Sequence, residues 1–260
     1  MSGARRIADA FTQRQGRAAL MPYLMGGYPD AATALEIGRA YARSGADLVE
    51  LGVPFSDPLA DGPVIQEAGA QALEAGATPE SVLETAAALS DEVPVVLMTY
   101  SNLVLAQGIG QFVAGLAAAS VSGLIVPDLP FEEAEELREA CRAEGIAFVP
   151  LVAPTSTEAR MEEIGAQAEG FLYTVSVSGT TGERQGDAGY EAVIERARSH
   201  TGVPVALGFG ISTPEQADLA ARAGADGVIV GSRLVREAGE SADPAQACGE
   251  LVGQFAQALR

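Results

Sequence analysis

The sequence predicts an α/β fold, a single-domain (βα)8 barrel in which eight parallel strands each lead into a helix. Short β-branched or apolar runs alternate with longer Ala/Glu/Arg-rich segments of helical period along the chain. The alternation repeats eight times in 260 residues, a length typical of such barrels. No linker or low-complexity stretch interrupts it, so residues 1–260 are expected to form one domain.

Gly, Pro or Asp marks most of the joins between the elements. The strand candidates, in chain order, are 19–25, 46–53, 93–100, 121–126, 146–151, 170–175, 203–207 and 226–230. Helical stretches follow them, and 31–44, 132–144, 158–167 and 214–223 show apolar residues every three or four positions. An extra N-terminal helix is predicted over residues 2–14, before the first strand.

A doubly wound open sheet is the alternative fold. It carries a Gly-rich phosphate turn, GxGxxG, after its first strand. Here the turn after the first strand reads Gly26-Gly27-Tyr28-Pro29, whereas Gly-rich segments follow strands six, seven and eight. This placement favours the barrel.

The composition excludes several chemistries. All 16 basic residues are arginine, and 35 acidic residues leave a net charge of −19, which argues against nucleic-acid binding. Without lysine there is no Schiff base, no anchored pyridoxal phosphate and no Walker lysine. With His200 as the one histidine, we expect no metal site and no Ser-His-Asp triad. Acid and base catalysis is therefore expected from carboxylates.

The cysteines and the hydropathy bear on location. Cys141 and Cys248 lie far apart, without CxxC spacing, and no secretory leader precedes them. No apolar run reaches the roughly 18 residues that a membrane span needs. The sequence therefore predicts a cytoplasmic protein without a membrane segment.

Carboxylates collect around the second strand. Glu50 shares a strand face with Leu48 and Gly52, so a face that points inward would bury it in the barrel mouth. The next loop adds Asp57 and Asp61 within a Pro/Gly frame. Carboxylates close together in an apolar site have raised pKa values and can transfer protons. The alternatives are a structural acid for Glu50 and turn or cap roles for the two aspartates.

Small residues after the late strands indicate a phosphate site. Ser176–Arg184 follow strand six, Gly208–Ser212 follow strand seven, and Gly231–Arg233 follow strand eight. Loops after strands seven and eight commonly bind phosphate in these barrels, through backbone N–H groups and a helix N-terminus. Ser212 and Ser232 could instead be helix caps.

Aromatic residues lie near several strand ends: Tyr23, Tyr100, Tyr173 and Phe209. Together they could wall a flat organic substrate, and individually they could be core. Asp128, after strand four, has the alternative role of capping the next helix. His200 ends a helix at the opposite face and is expected to be exposed or to satisfy the helix dipole.

Residues 48–63, LVELGVPFSDPLADGP, resemble the signature of the tryptophan synthase alpha subunit family. Further matching motifs cover essentially the whole chain: PY at 22–23, GYP at 27–29, MTYSN at 98–102, PDLP at 127–130, GTTG at 179–182 and GFGIS at 208–212. The family folds as a TIM barrel, in agreement with the eight units counted above.

The resemblance implies cleavage of indole-3-glycerol phosphate to indole and glyceraldehyde 3-phosphate, a cofactor-free step of tryptophan biosynthesis. It implies that Glu50 is the acid and base, that Asp61 binds the indole N–H, and that Tyr173 lies close to the reacting side chain. The implied phosphate site comprises Gly182, Gly210, Gly231 and Ser232. The implied indole pocket comprises Tyr23, Met98, Tyr100, Ile125 and Phe209.

The resemblance also implies a mobile loop, anchored by Thr181, that closes over Asp61. Asp57 is expected to face a beta subunit in an alpha2-beta2 heterotetramer that receives the indole. Tyr23 departs from the commonest pattern, because the family often has phenylalanine there. The alternatives are a stand-alone indole-3-glycerol phosphate lyase and a catalytically idle regulatory subunit, although the intact Glu50 and Asp61 argue against the second.

Overall fold

A computed structural model describes residues 1–14, 16–175, 189–208 and 210–260. Over these residues, nine parallel strands form one sheet in the order β5-β4-β3-β2-β1-β9-β8-β7-β6. The strands are Ala19–Met25 (β1), Val49–Gly52 (β2), Val95–Met98 (β3), Gly123–Ile125 (β4), Ala147–Phe148 (β5), Leu151–Val152 (β6), Leu172–Val175 (β7), Val205–Gly208 (β8) and Gly227–Val230 (β9).

The helices lie on the outside of the sheet, and one further helix forms the N-terminal segment. In the described residues they are Gly3–Gln13 (α1), Ala31–Arg43 (α2), Pro63–Glu74 (α3), Pro79–Leu89 (α4), Ser101–Gln107 (α5), Ile109–Ala118 (α6), Glu135–Ala143 (α7), Glu158–Ala166 (α8), Tyr190–Arg198 (α9), Pro214–Arg222 (α10), Ser232–Glu240 (α11) and Pro244–Ala258 (α12). A 3-10 turn, Phe131–Glu133, occupies the start of the predicted helix over 132–144.

The two outermost strands of the sheet, β5 and β6, belong to one extended segment, the fifth predicted strand. Its Val149 N–H donates to Leu124 O of β4 at 2.9 Å, and its Pro150 O accepts from Tyr173 N–H of β7 at 3.0 Å. Proline has no N–H to continue a ladder, so the segment divides at Pro150. The sheet therefore closes on itself, and the predicted TIM barrel of eight βα units is confirmed.

Helix α1 covers the bottom of the barrel, the end where the strands begin. Ser2 caps it by accepting from Arg5 N–H at 3.3 Å, and Ile7 and Phe11 are buried. A Cβ added to Gly123 would lie 3.0 Å from Ile7 Cδ1, and one added to Gly227 would lie 3.1 Å from Phe11 Cε1. Glycine at positions 123 and 227 thus leaves room for the side chains of Ile7 and Phe11. The predicted N-terminal helix is present.

Ion pairs hold the same bottom edge. Asp226, just before β9, accepts from Arg14 Nη2 at 2.9 Å, Arg198 Nη2 at 2.8 Å and Val205 N–H at 3.0 Å. Asp47, before β2, pairs with one arginine, and its Oδ2 lies 2.6 Å from Arg17 Nη1. These contacts tie strand starts to α1 and α9, at the end remote from the carboxylates considered below.

No single helix among the described residues has both the length and the apolar composition needed to cross a bilayer. Helices α5 and α6 meet such a criterion only as a pair, and they are bent by 101° at their junction.

Candidate active site

Glu50 lies on β2 with its side chain inside the barrel and is only 4% exposed. Within the described part of the chain, its Oε2 atom is buried and has no hydrogen-bond partner. Burial, followed by the charge of Asp61, raises the pKa of Glu50 from 4.5 to about 8. A carboxyl with this pKa is protonated at neutral pH and can both give and take a proton.

Asp61 lies in the loop after β2, half-buried. Burial raises its pKa from 3.8 to about 6, and a hydrogen bond from the Tyr100 side chain opposes that rise. The Tyr100 hydroxyl also accepts from Ala60 N–H at 3.1 Å. The Phe55 ring stacks on the Tyr100 ring, with centroids 5.2 Å apart. The end of β3 thus holds the loop, and the two carboxylates have different pKa values.

Two tyrosines extend into the barrel over glycines of neighbouring strands. A Cβ on Gly52 would lie 1.9 Å from the Tyr23 hydroxyl, and a Cβ on Gly208 would lie 2.3 Å from the Tyr173 hydroxyl. Burial and the charges of Glu50 and Asp61 raise the pKa of both phenols. Strands β1 and β7 are not adjacent in the sheet. Since the charges of Glu50 and Asp61 nevertheless act on both tyrosines, both rings lie in the barrel interior.

The other predicted pocket residues are also buried around the mouth. Met98 pairs in register with Gly52 on one side and with Ile125 on the other. Met98, Tyr100 and Ile125 are at most 7% exposed. Phe209, the remaining member of the predicted indole pocket, lies outside the described residues.

The predicted phosphate residues that the structure describes are Gly210, Gly231 and Ser232. Gly210 has a φ of +79°, which favours glycine, and precedes α10. Gly231 is the N-cap of α11 and Ser232 its first residue, so α11 directs backbone N–H groups toward the barrel mouth. Gly182 and Thr181 lie outside the described residues.

The N-caps of α10 and α11 are not Ser212 and Ser232, for which capping was the alternative role. Thr213 caps α10, accepting from Gln216 N–H, whereas Ser212 donates to Gln216 Oε1. Gly231, and not Ser232, is the N-cap of α11. Neither serine is therefore the N-cap of its helix.

Asp128 caps a different helix from the one expected. Its carboxylate accepts from Ser101 N–H at 2.8 Å and from Ser101 Oγ at 2.7 Å. It therefore fixes the start of α5, which follows the preceding strand, and not the helix after its own strand. The contact joins the end of β4 to the end of β3, next to Tyr100.

Asp57 and His200 lie away from the two buried carboxylates. Asp57 is exposed in the loop after β2 and accepts from Ser56 Oγ at 2.6 Å. His200 is half-buried after α9, and its Nε2 lies 2.7 Å from Glu158 Oε2. The expectation of an exposed or dipole-satisfying histidine misses this partner on α8.

Gly52 and Gly208 are further parts of the site, and neither was predicted as such from the sequence. A glycine within a strand is a signal for the close approach of another group. Gly52 lies two residues from Glu50 on the same face, and Gly208 ends β8. Glycine at these two strand positions was therefore the signal in the sequence that another side chain packs closely over each of them.

Comparisons with known proteins agree with one another. The profile of the tryptophan synthase alpha chain family matches residues 10–259. The tryptophan synthase alpha chain of Synechococcus sp. (strain CC9902) is 49% identical over 235 residues, which are 88% of this chain and 87% of that protein. That of Gloeobacter violaceus is 46% identical over 260 residues, with 98% and 94% covered.

Solved structures give the same result. Mycobacterium tuberculosis tryptophan synthase superposes with a TM-score of 0.91 at 37% identity, covering 98% of each chain. Tryptophan synthase subunit alpha of Legionella pneumophila gives 0.91 at 34% identity, covering 100% of this chain and 98% of that one. The chain therefore belongs to the tryptophan synthase alpha chain family, the lyases of tryptophan biosynthesis that cleave indole-3-glycerol phosphate.

Proposed function

We propose that Glu50 and Asp61 together carry out the retro-aldol cleavage of indole-3-glycerol phosphate to indole and glyceraldehyde 3-phosphate. The observation that supports this most directly is the burial of Glu50, with a pKa raised to about 8, in the field of Asp61. A protonated Glu50 gives its proton to C3 of the indole ring. The ring becomes an indolenine, whose positively charged nitrogen is stabilised by the Asp61 carboxylate.

The ionised Glu50 then acts as the base. It takes the proton of the glycerol hydroxyl next to the ring, and that carbon becomes the aldehyde of glyceraldehyde 3-phosphate. The carbon–carbon bond breaks, and its electron pair returns to the ring to restore aromatic indole. Glu50 ends the cycle protonated, so the step consumes no external proton. Tyr173 would lie beside the reacting side chain.

The proposed binding residues follow the same geometry. Tyr23, Met98, Tyr100 and Ile125 would wall the indole, with Phe209 added from outside the described residues. The backbone N–H groups near Gly210, Gly231 and Ser232 would bind the phosphate, together with Gly182. Thr181 would anchor the loop that closes over Asp61 and excludes water.

A beta subunit is the proposed partner, in an alpha2-beta2 heterotetramer that takes up the indole. Asp57 and Leu59 lie exposed in the loop after β2, and Leu59 is 85% exposed. Leu105 of α5, after β3, is 61% exposed. These two exposed leucines, which both follow strand ends at the barrel mouth, support docking above the site.

The same proposal treats residues 1–260 as one domain that works in the cytoplasm. Cys141 and Cys248 are both buried free thiols, and free thiols are usual in a reducing compartment.

The test is indole release by Glu50→Gln. The unaltered chain contains no tryptophan, so indole fluorescence is followed without intrinsic indole background. We expect a loss of at least roughly 100-fold in cleavage with an unchanged circular dichroism spectrum. Glu74→Gln, at an exposed glutamate ending α3, is the matched control and should keep full activity. Retained cleavage by Glu50→Gln would remove the assignment.

Adding a beta subunit separates the remaining alternatives. Stimulated cleavage is expected for an alpha chain whose site is completed at the interface. Full activity without any stimulation would instead indicate a stand-alone lyase. No cleavage in either condition would indicate an idle regulatory subunit.

A further inference from the structure

The Tyr23 hydroxyl lies on the same inner surface as Glu50. Tyr23 and Glu50 are register partners on the adjacent strands β1 and β2. The Tyr23 ring crosses from β1 to β2, where its hydroxyl occupies the space above Gly52 that a Cβ would need, 1.9 Å away. Gly52 and Glu50 are two residues apart and share a strand face, at a spacing of roughly 7 Å along the strand. A glutamate side chain and a phenol can bridge that spacing.

The two groups have complementary hydrogen-bonding capacity. Among the described residues, Glu50 Oε2 is buried without a partner. The Tyr23 hydroxyl lies 3.9 Å from Met25 Sδ, and a thioether sulfur is a weak acceptor. An ionised carboxylate is a much stronger acceptor for the same O–H. When Glu50 loses its proton, the hydroxyl gains by turning from the sulfur to the carboxylate.

We propose that Tyr23 is a positioning residue whose hydroxyl donates to the Glu50 carboxylate and stabilises its ionised state during cleavage. The proposal deepens the proposed function and rests on it. It assigns a role to the hydroxyl group, by which tyrosine differs from phenylalanine. Gly52 is part of the device, because any side chain there would displace the hydroxyl.

Other groups also act on Glu50 and set the background for the test. Within the described residues, Asp61 faces it from the loop after β2 and Tyr173 faces it from β7. Tyr100, two residues after β3, faces Asp61 and Tyr23. A nearby negative charge disfavours the ionised carboxyl, whereas a hydrogen-bond donor favours it. Removing the Tyr23 donor must therefore move the titration of Glu50 to higher pH.

The experiment is an infrared titration of the full chain without substrate. The carbonyl stretch of the protonated Glu50 carboxyl is identified as the band that disappears in Glu50→Gln. In the unaltered protein the band should titrate above the ordinary glutamate pKa of 4.5, because burial and Asp61 raise it. In Tyr23→Phe, which keeps the ring over Gly52, we expect the midpoint to rise by about one pH unit, because one hydrogen bond to a charged group is lost.

Cleavage provides a second readout. The pH dependence of kcat in Tyr23→Phe should shift toward higher pH by the same amount, about one unit. KM should change little, because the indole pocket retains the ring.

Tyr41→Phe is the matched control. The Tyr41 hydroxyl lies on α2, outside the barrel, and donates to the Tyr23 backbone O at 3.3 Å. The substitution removes a buried phenol oxygen that contacts the backbone of the same strand, without touching the Tyr23 side chain. It should leave the Glu50 band and the pH profile in place.

An upward midpoint shift in Tyr23→Phe alone supports the proposal. No shift, a downward shift, or an equal shift in Tyr41→Phe overturns it. Because the infrared band reports Glu50 without turnover, this result is independent of the catalytic assignment. If Glu50→Gln retained cleavage, the proposed function would fail while the titration still decided the Tyr23 contact.

Discussion

The Tyr100 hydroxyl and the Asp61 carboxylate are hydrogen-bonded across the mouth of the barrel, joining the end of β3 to the loop after β2. The same hydroxyl accepts from Ala60 N–H at 3.1 Å. The bond to the phenol favours the ionised aspartate and lowers its pKa, whereas burial raises the pKa to about 6. Tyr100 therefore helps to keep Asp61 ionised at neutral pH.

Tyr100→Phe should raise the pKa of Asp61 further above its ordinary value. Less of the carboxylate is then ionised near pH 6 to 7, and kcat/KM for cleavage should fall roughly fivefold there. Relative to the unaltered protein at the same pH, the deficit should shrink above about pH 8, where Asp61 is ionised in both. A pH profile of indole release checks this, and an equal deficit at every pH would contradict it.

Glu50→Gln should change how stability depends on pH. Glu50 keeps its proton in the folded protein up to about pH 8, whereas the unfolded chain releases it near 4.5. Between those values the folded state binds more protons, so the free energy of unfolding decreases as pH rises, by at most about 1.4 kcal/mol per pH unit. Glutamine removes this penalty, so the variant should gain on the unaltered protein from pH 5 to 8.

Urea unfolding at several pH values measures that difference. Glu74→Gln, at an exposed position, is the matched control and should follow the unaltered protein throughout. A constant difference between Glu50→Gln and the unaltered protein would mean that Glu50 does not hold its proton in the fold.

Gly208→Ala should displace Tyr173. Its new Cβ would lie 2.3 Å from the Tyr173 hydroxyl and 2.5 Å from two ring carbons, so the ring must shift. We expect a loss of roughly 100-fold in kcat and a decrease of about 1 to 3 kcal/mol in the free energy of unfolding. Steady-state kinetics and urea unfolding measure the two effects.

Gly253→Ala is the corresponding control, since a Cβ there meets no atom within 4 Å and the residue lies within α12. It should leave kcat unchanged and add up to about 1 kcal/mol of stability. Full activity in Gly208→Ala would show that the Tyr173 position does not matter for cleavage.

Asp226→Asn should affect stability and not catalysis. Asp226 accepts from Arg14, Arg198 and Val205 N–H at the bottom of the barrel. Loss of its charge should lower the free energy of unfolding by about 1 to 3 kcal/mol, with kcat for indole release unchanged at 25 °C. Asp218→Asn, which removes an exposed pair with Arg222, should cost less than about 1 kcal/mol. Equal costs for both variants would contradict the special role of Asp226.

The strands and the buried acid could be predicted because they depend on local pattern. β1 matches its predicted bounds, 19–25, since its apolar run is bounded on both sides by turn residues. Other strands are shorter than predicted; β2 covers Val49–Gly52 of 46–53. The fifth predicted strand is divided at Pro150. This proline is visible in the sequence, but the division was not predicted from it. Glu50 was placed inside by its shared face with Gly52, which depends only on strand alternation.

Contacts between loops could not be predicted in this way. Asp128 binds Ser101, 27 residues earlier, and the choice between that helix and the next one depends on how two strand ends meet in space. The bond between Asp61 and Tyr100 depends on the same meeting of neighbouring strands. His200 likewise finds Glu158 only once α8 and α9 are packed. Sequence spacing contains no information on these distances.

The covering of the barrel floor by α1 sets an order of events during synthesis. Ile7 lies against Gly123 and Gly170, and Phe11 lies against Gly227. The surface that covers α1 is thus completed by a glycine of β9, many residues later in the chain. Until β9 has been synthesised, part of the apolar side of α1 stays uncovered.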